Sequence, residues 1–303
     1  MNVGIVDDIK CEQHHKNYFD KPQRVIAIRD KLKSSNIYDK LKKIDPIEPT
    51  LEDLLLVHTN AYINKVSRIC NHPTATLGND VIVNGKNSLT AALTAVGSVI
   101  SAVNTVLTTN TKKIFCNVRP PGHHASSHEA AGFCIFNNVA IGAKKALTYK
   151  EIKKVLIFDW DLHHGDGTQK LLQSDDRVMF CSFHKADIYP GSGNTSKNNV
   201  HNYPQNGNIE IYMDEFLHDF LPKAYEFQPD IIFISCGFDG HKDDLYGELQ
   251  LDYEHFQIMT RELCLLANKF ANGRLISVLE GGYTLDVLAQ CALTHINEML
   301  LHC

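Results

Sequence analysis

The sequence lacks the cysteine pattern of a disulfide-rich secreted protein. Its nine cysteines are an odd number, lie scattered over 303 residues and include no pair at C-x-x-C spacing. Several of them lie inside apolar runs, which is typical of free thiols in a reducing compartment. The first residues, MNVGIVDDIK, carry acids at Asp7 and Asp8 where a signal peptide has basic residues and then an apolar stretch. We therefore expect a cytoplasmic or nuclear protein that is not secreted.

A surplus of basic residues is also missing. The formal net charge is −5, so the overall charge does not favour binding to a phosphate backbone or an anionic membrane. The longest uncharged stretch, Asn87 to Thr111, is long enough to cross a bilayer but contains many Thr, Ser and Asn residues. Its apolar positions step by three and four, which favours a buried helix. We predict no direct nucleic-acid partner and no membrane span, and the composition leaves the oligomeric state open.

Linkers, internal repeats and low-complexity runs are absent as well. The balance of 44% hydrophobic and 21% charged residues is that of an ordinary globular protein. A chain of about 300 residues is close to the upper limit for one hydrophobic core. We therefore predict a single domain over residues 1–303.

The chain does contain an alternation of short apolar runs and segments with helical periodicity. The predicted strands are Val3 to Val6, Ile114 to Val118, Val155 to Phe158, Val178 to Phe183, Ile231 to Ser235 and Leu275 to Leu279. The predicted helices are Leu89 to Leu107, Asn138 to Leu147, Met213 to Phe227, Tyr253 to Phe270 and Leu285 to Leu301. This pattern indicates an α/β fold with an open, mostly parallel sheet and helices on both faces. Tyr189 to Gly207, rich in Gly, Asn, Ser and Pro, is predicted to be a loop.

Segments rich in titratable residues and glycine follow four of the predicted strands. They are RPPGHHA from Arg119, DWDLHHGDG from Asp159, CGFDGH from Cys236 and EGGY from Glu280. Open α/β sheets bind ligands outside the carboxyl ends of their strands. We therefore expect these segments to meet at one edge of the sheet and to form the functional site.

An aspartate and a histidine two residues apart suggest a metal site. Asp161 and His163 lie in an extended segment, so both side chains can face one point. A lone D-x-H is more typical of a loop-capping aspartate and a histidine bonded to backbone. Here a further carboxylate, Asp239, closes another predicted strand. Three such ligands leave a position for water or substrate, which is the pattern of a catalytic zinc ion.

Adjacent histidines, His123 and His124, suggest proton transfer near neutral pH, although a surface pair in a loop would have the same sequence. Asp159 and Asp166 could each hold the Nδ1 proton of one histidine and so fix its tautomer. In EGGY, the paired glycines are compatible with a simple tight turn and the tyrosine with packing. The Tyr283 hydroxyl could instead stabilise the oxyanion of a tetrahedral intermediate.

Five segments together resemble the zinc-dependent histone deacetylase family, which includes acetylpolyamine amidohydrolases and acetoin-utilisation proteins. They are RPPGHHASSHEAAGFCIFNNVAIGA (from Arg119), VLIFDWDLHHGDGTQ (from Val155), SFHKADIYPGSG (from Ser182), ISCGFDGHKDDLYG (from Ile234) and LEGGY (from Leu279). The match runs in order over nearly the whole chain. The two prolines before the histidine pair resemble the class II branch.

The resemblance implies hydrolysis of an acetyl or acyl group from the ε-amine of lysine in a histone or another protein, by a zinc-activated water. It implies one zinc ion per chain, held by Asp161, His163 and Asp239. The catalytic residues that it implies are His123, His124, Asp159, Asp166 and Tyr283. Among these His124 would be the general base and Tyr283 the oxyanion donor.

The resemblance also implies residues for substrate binding and a structural potassium ion. The substrate residues would be Gly132, Phe133 and Tyr189 along a narrow tunnel, Asp80 and Tyr246 at its rim and Arg24 on an acetate exit path. Potassium would be bound by Asp159, Ser182 and backbone carbonyls near Asp161, His163 and Phe183.

Some positions depart from the family pattern. Tyr189 replaces the usual phenylalanine, and Leu245-Tyr246 stands where Pro-Leu or Pro-Met is common. The polyamine-selective branch has a glutamate at the position of Tyr246, which favours peptide substrates here. Three other functions stay open. One is a deacetylase of acetylpolyamines or of small-molecule amides within the same superfamily. Another is an arginase-type ureohydrolase with two manganese ions, although Gly165 stands where its third ligand would be. The last is an inactive module that binds acetyl-lysine.

Overall fold

The computed structural model of the chain describes residues 2–15, 19–78 and 80–303. Within these ranges there are ten strands, which are β1 (Val3–Val6), β2 (Lys42–Ile44), β3 (Ala75–Leu77), β4 (Val81–Val83), β5 (Lys113–Cys116), β6 (Val155–Asp159), β7 (Val178–Lys185), β8 (Val200–Gln205), β9 (Ile231–Cys236) and β10 (Leu275–Leu279). Eight of them form one sheet in the order β2-β1-β5-β10-β9-β6-β7-β8, and all its pairings are parallel. The other two, β3 and β4, form an antiparallel hairpin.

The same ranges contain ten α-helices, which are α1 (Gln23–Ser34), α2 (Leu51–Leu55), α3 (Asn60–Ile69), α4 (Gly85–Thr108), α5 (Asn138–Ala146), α6 (Asp166–Leu172), α7 (Ile209–Glu215), α8 (Leu221–Phe227), α9 (Tyr253–Phe270) and α10 (Leu285–Leu301). A π-helical turn, Phe216–Phe220, joins α7 to α8. Two short 3₁₀ helices span Ile9–Gln13 and Tyr38–Lys40.

Helices cover both faces of the sheet, as the continuous apolar strands require. Successive side chains of a strand point to opposite faces. In β6, Leu156 and Phe158 join the core formed with α1, α9 and α10. Val155 and Ile157 join a separate core formed with α4 and α5. The predicted α/β fold with a parallel sheet between two helical layers is therefore confirmed.

Helix α4 is the one helix of the described ranges that is long and apolar enough to cross a membrane by length and composition. Of its most apolar 18-residue window, 72% is buried. Val99 and Val103 contact one core, while Val96 and Ile100 on another side contact a third core that includes the β3–β4 hairpin. This placement agrees with the core helix predicted for this stretch.

All six predicted strands exist, but the prediction of a loop over Tyr189 to Gly207 is wrong in its second part. Strand β8 (Val200–Gln205) lies there and pairs with β7. It is an edge strand, where a proline such as Pro204 is tolerated although it has no N–H to donate. The predicted helix from Met213 also begins earlier, at Ile209, where Asn208 caps it by accepting from the backbone N–H groups of Glu210 and Ile211.

Candidate active site

The segments after β5, β6, β9 and β10 meet at the centre of the sheet, because these four strands are adjacent. A cavity of about 350 Å³ opens there. Its lining residues are Asp80, Pro121, His123, His124, Gly132, Phe133, His163, Ile188, Tyr189, Tyr246, Glu248, Gly281 and Tyr283. The structure therefore brings the strand-end segments together around one cavity.

Asp161, His163 and Asp239 form a cluster at this cavity, and their candidate ligand atoms all lie within 4.8 Å of one another. His163 Nδ1 lies 3.2 Å from Asp161 Oδ1 and also 3.2 Å from Asp239 Oδ2. Ligand atoms at about 2.0–2.1 Å from a tetrahedral zinc ion are separated by roughly 3.3 Å. Asp239 Oδ2 is buried and, apart from this contact with His163, accepts no hydrogen bond from the described part of the chain, so it is available to bind a cation. The three residues fit a bound zinc ion.

Two glycine segments make room for this cluster. The backbone N–H of Gly281 donates to Asp161 Oδ2 at 2.7 Å. A Cβ atom at Gly281 would overlap carboxylate oxygens of both Asp161 and Asp239, and one at Gly237 would overlap Asp161. Any larger residue at either position would displace the carboxylates. Glycine is therefore required at both positions because the backbone lies so close to the carboxylate groups, and not only because the chain turns there.

The cluster has an excess of buried negative charge. Burial alone would lower the pKa of His163, but Asp161 and Asp239 outweigh it and raise the pKa to about 10. Burial and the facing carboxylate of Asp161 raise the pKa of Asp239. Two carboxylates with one imidazole between them are therefore short of positive charge, and a divalent cation would supply it.

His123 and His124 are held by different carboxylates. Asp159 Oδ2 lies 3.1 Å from His123 Nδ1, and Asp166 Oδ1 lies 2.8 Å from His124 Nδ1. Asp166 stands in the first turn of α6, where a negative charge is favoured by the helix dipole. The two imidazole rings are 4.0 Å apart between centroids. The structure thus brings together the pairs expected from the sequence.

The two histidines differ in their electrostatic surroundings. Burial would lower the pKa of His123, but the carboxylates of Asp161, Asp159 and Glu280 outweigh it and raise the pKa well above its ordinary value. Burial, followed by the neighbouring charge of His123, lowers the pKa of His124 to about 3. Two adjacent groups with pKa values driven apart suit one proton donor and one proton acceptor.

Tyr283 lies beside the cluster in an aromatic wall. Its ring is 6.4 Å from the ring of Phe133 and 5.5 Å from that of Tyr246. Its backbone N–H donates to Asp244 Oδ2 at 2.8 Å. Arg24 is fully buried, does not line the cavity, and places its guanidinium 5.2 Å from the centre of the Tyr283 ring. Its Nε donates to the Gly282 carbonyl at 2.6 Å.

The rim is built from the remaining substrate-binding candidates. Asp80 is exposed, and its Oδ2 accepts from the backbone N–H of Gly132 at 3.0 Å. Gly132 has a φ of +53°, and a Cβ atom there would overlap the His124 ring. The Tyr189 ring packs edge-on against His124 at 5.1 Å, and that of Tyr246 against His163 at 5.6 Å.

Glu248 lines the same cavity and was missed in the sequence analysis. Its side chain is 47% exposed, and Oε2 lies 3.6 Å from Lys185 Nζ. Its position two residues after Tyr246 was the only signal that could have pointed to it. The rim therefore has two carboxylates, Asp80 and Glu248.

The residues predicted for potassium lie next to one another on β6 and β7. Asp159 and Ser182 are partners in the strand register, and both are fully buried. Ser182 Oγ lies 2.9 Å from His184 Nδ1, and Asp159 Oδ1 accepts from the backbone N–H of Asp161 at 3.1 Å. The Phe183 ring stacks on Tyr203 in the core, so only its carbonyl could contribute. The potassium ion stays a prediction.

A parallel α/β sheet that gathers an Asp-His-Asp cluster and a carboxylate-paired histidine pair in one cavity is typical of a metal-dependent hydrolase. The family model described as a histone deacetylase domain matches residues 18–299. This chain belongs to the histone deacetylase family, which confirms the resemblance found in the sequence.

Relatives extend over almost the whole chain. It is 34% identical over 327 residues to Histone deacetylase 5 of Arabidopsis thaliana, covering 98% of this chain and 49% of that protein. It is 33% identical over 321 residues to Polyamine deacetylase HDAC10 of Homo sapiens, covering 97% and 45%. The crystal structure of the HDA15 HD domain superposes with a TM-score of 0.92 at 30% identity and covers 99% of this chain and 90% of that one. This chain spans about half the length of the two relatives.

Proposed function

We propose that this chain is a zinc-dependent deacetylase that removes acetyl or longer acyl groups from the ε-amine of lysine in histones or other proteins. One observation carries the proposal: His163 Nδ1 lies 3.2 Å from a carboxylate oxygen of both Asp161 and Asp239. Beside this cluster, the same cavity contains the carboxylate-paired histidines. Membership of the histone deacetylase family supports this choice of reaction.

Zinc would be held by Asp161, His163 and Asp239, with the Gly281 N–H fixing the Asp161 carboxylate. When bound, it supplies a Lewis acid that polarises the acyl carbonyl and makes a water acidic enough to lose a proton near pH 7. The oxygen and nitrogen donors also suit iron(II), so the ligand set alone does not select zinc.

His124 is the proton acceptor of the proposed reaction. Its lowered pKa keeps the imidazole neutral at pH 7, and Asp166 accepts its Nδ1–H, which leaves Nε2 free to take a proton from the attacking water. A histidine of the pair then protonates the departing amine, and His123, held by Asp159, is the one whose surroundings favour the charged form. The products are acetate and a free amine.

The Tyr283 hydroxyl donates a hydrogen bond to the developing oxyanion in this scheme. The aliphatic part of the lysine side chain is buried between Phe133 and Tyr189, both of which line the cavity. Asp80 accepts backbone N–H groups of the substrate at the rim. Such a tunnel selects a long neutral side chain by burial, with little contribution from charge.

Acetylated polyamines are a second candidate substrate, and Glu248 is the observation that favours them. Tyr246, which stands where the polyamine-selective branch has a glutamate, favours peptides. Glu248 nevertheless supplies a carboxylate to the same cavity, together with Asp80. A second charged amine in the substrate would be attracted by both. The human relative named a polyamine deacetylase is 33% identical to this chain, and the plant histone deacetylase is 34% identical.

A kinetic panel of acetyl-lysine peptides, longer acyl-lysine peptides and acetylated polyamines tests these proposals. We expect the peptides to be hydrolysed fastest, activity to be lost with a chelator and activity to return with zinc. Faster turnover of acetylated polyamines would select the second candidate. Binding of an acetyl-lysine peptide without hydrolysis in the zinc-loaded protein would identify a binding module and overturn the enzyme proposal.

A further inference from the structure

Glu280 is a fully buried carboxylate at the end of β10 that the proposed reaction does not use. Its Oε2 accepts two backbone hydrogen bonds, from the N–H of Gly122 at 2.7 Å and from the N–H of His123 at 3.2 Å. Its Oε1 accepts from the Ser235 hydroxyl at 3.4 Å. One side chain therefore ties the histidine segment after β5 to the neighbouring strand.

The histidine segment needs such an acceptor because it is buried but has left the sheet. Strand β5 ends at Cys116, so the N–H groups of Gly122 and His123 lie beyond its strand pairing. A buried N–H without an acceptor costs free energy, and a carboxylate is a strong acceptor that can take two such hydrogen bonds. From the other side, Asn138 Nδ2 donates to the Pro120 carbonyl at 3.1 Å, and the backbone N–H of Thr168 donates to the His123 carbonyl at 3.0 Å. Glu280 is the contact that satisfies the N–H groups of the segment, while these other contacts satisfy its carbonyl groups.

Displacement of this segment would move the reactive imidazoles. The His123 ring lies 3.1 Å from Asp159 and 4.0 Å from the His124 ring, so a shift of the His123 backbone disturbs both contacts. The residues directly after Glu280 contact the rest of the site, since Gly281 holds Asp161 and Tyr283 follows two positions later. Glu280 therefore connects the histidine pair to the other reacting groups through one short piece of backbone.

We propose that Glu280 is a positioning residue for deacetylation, which holds the backbone of Gly122 and His123 and so keeps the histidine pair in register with the Asp161, His163 and Asp239 cluster. This inference rests on the proposed function. In this role the Glu280 side chain acts through its length and its ability to accept hydrogen bonds, and not through its charge.

Two conservative variants separate reach from charge. Glu280→Gln keeps the length and an accepting oxygen but removes the charge. Glu280→Asp keeps the charge but is one methylene too short to reach both N–H groups. Ser235→Ala is the matched control, because it removes only the contact to Oε1. Each zinc-loaded protein is assayed for kcat, KM, zinc content and thermal stability.

We expect Glu280→Gln and Ser235→Ala to stay within about threefold of wild-type kcat. Glu280→Asp should lose about 10²-fold in kcat, the cost of misplacing a catalytic group by about 1 Å, with KM and zinc content little changed. Equal losses in Glu280→Gln and Glu280→Asp would overturn the inference, and so would a Glu280→Asp variant with wild-type kcat. Loss of zinc, or a rise of KM alone, in Glu280→Asp would also contradict it.

Backbone amide exchange gives a readout that does not depend on activity. In metal-free protein, the segment containing Gly122 and His123 should be protected from hydrogen–deuterium exchange in wild type and in Glu280→Gln. Protection should be lost in Glu280→Asp, while segments in β6 and β9 stay protected. Unchanged protection in Glu280→Asp would refute the positioning role, whether or not the protein has deacetylase activity. A wild-type protein without deacetylase activity would instead refute the proposed function.

Discussion

Nδ1 of His124 lies 2.8 Å from Oδ1 of Asp166, and both residues are buried. His124, followed by Lys170, lowers the pKa of Asp166 to about 2 against the opposing effect of burial. Asp166 is therefore ionised at neutral pH and accepts the Nδ1 proton of a neutral His124. This hydrogen bond fixes the tautomer whose Nε2 is a free acceptor, which is the requirement for a general base.

Replacement of His124 should remove proton transfer but leave the metal ligands in place. We expect His124→Ala to lower kcat by about 10²- to 10⁴-fold, which is the usual contribution of a general base, with wild-type zinc content. His128→Ala is a matched control, since His128 lies on the same segment but is exposed. Steady-state kinetics and metal analysis check this. A kcat near wild type in His124→Ala would assign the proton transfer to another group.

The metal content of the protein discriminates between two enzyme classes. We expect about one zinc per chain and its loss in Asp239→Ala, because Asp239 supplies one of the three candidate ligand atoms of the cluster. Asp243→Ala, which removes a mostly exposed carboxylate four residues later, should keep the zinc. Metal analysis of purified protein measures both. Two metal ions per native chain would contradict the deacetylase proposal and favour a ureohydrolase.

The central strands and the strand-end segments could be predicted from the sequence because the strands are buried on both faces and are therefore continuously apolar. Helix α1 (Gln23–Ser34) could not be predicted from the sequence in this way. Its buried face includes Arg24, which breaks the apolar pattern. The Arg24 guanidinium donates to Asp20 and to backbone carbonyls far along the chain, and these partners cannot be identified from local sequence. Strand β8 was missed because an edge strand has one partner and tolerates polar residues.

The pairing of each histidine with an aspartate could be proposed from residue types alone. The bonds of Glu280 to Gly122 and His123 could not, because they depend on β10 lying next to β5, a neighbour relation between segments far apart in the chain. The same holds for Glu248, whose place in the cavity depends on the path of a loop and not on any periodic pattern.

Asp20 should contribute to stability in a pH-dependent way. It is buried, and its Oδ1 accepts from Arg24 Nη1 at 2.9 Å and from Arg119 Nε at 2.8 Å. Burial would raise the pKa of Asp20, but Arg119 and Arg24 outweigh it and lower the pKa below the unfolded value. The stabilisation is therefore present above about pH 4, the unfolded pKa, and is lost as the pH falls through the folded pKa.

Asp20→Asn would leave two buried guanidinium groups without a carboxylate. We expect it to lower the free energy of unfolding at pH 7 by about 3–5 kcal/mol. The difference from wild type should shrink as the pH falls below 4. Asp30→Asn, at an exposed position of α1, should have little effect. Denaturant unfolding at pH 7 and pH 3 measures this, and an equal difference at both values would contradict it.

The rim carboxylates should affect peptides and polyamines differently. We expect Asp80→Ala to reduce turnover of acetyl-lysine peptides, and peptides to remain better substrates than acetylspermidine in wild type.

Glu248→Gln should raise KM for acetylspermidine by up to about fivefold, as for an exposed charge pair, and this effect should decrease with salt. Glu210→Gln, a remote exposed change, is the control. Faster wild-type turnover of acetylspermidine than of any peptide would overturn the expected preference.

The role of Tyr283 can be tested by removing one oxygen atom. Its ring packs against Phe133 and Tyr246, and Tyr283→Phe keeps that packing, so folding and zinc content should stay near wild type. A donor to the oxyanion acts mainly in the transition state, so kcat should fall while KM changes little. Loss of one such donor costs about 10²- to 10³-fold, or roughly 3–4 kcal/mol. A tyrosine that only packs predicts near-normal turnover in the same variant. Measurement of kcat, KM, zinc content and melting temperature therefore decides between the two roles. A kcat above about a third of wild type would exclude the catalytic role, because a loss of kcat of that size is far smaller than the loss expected for an oxyanion donor.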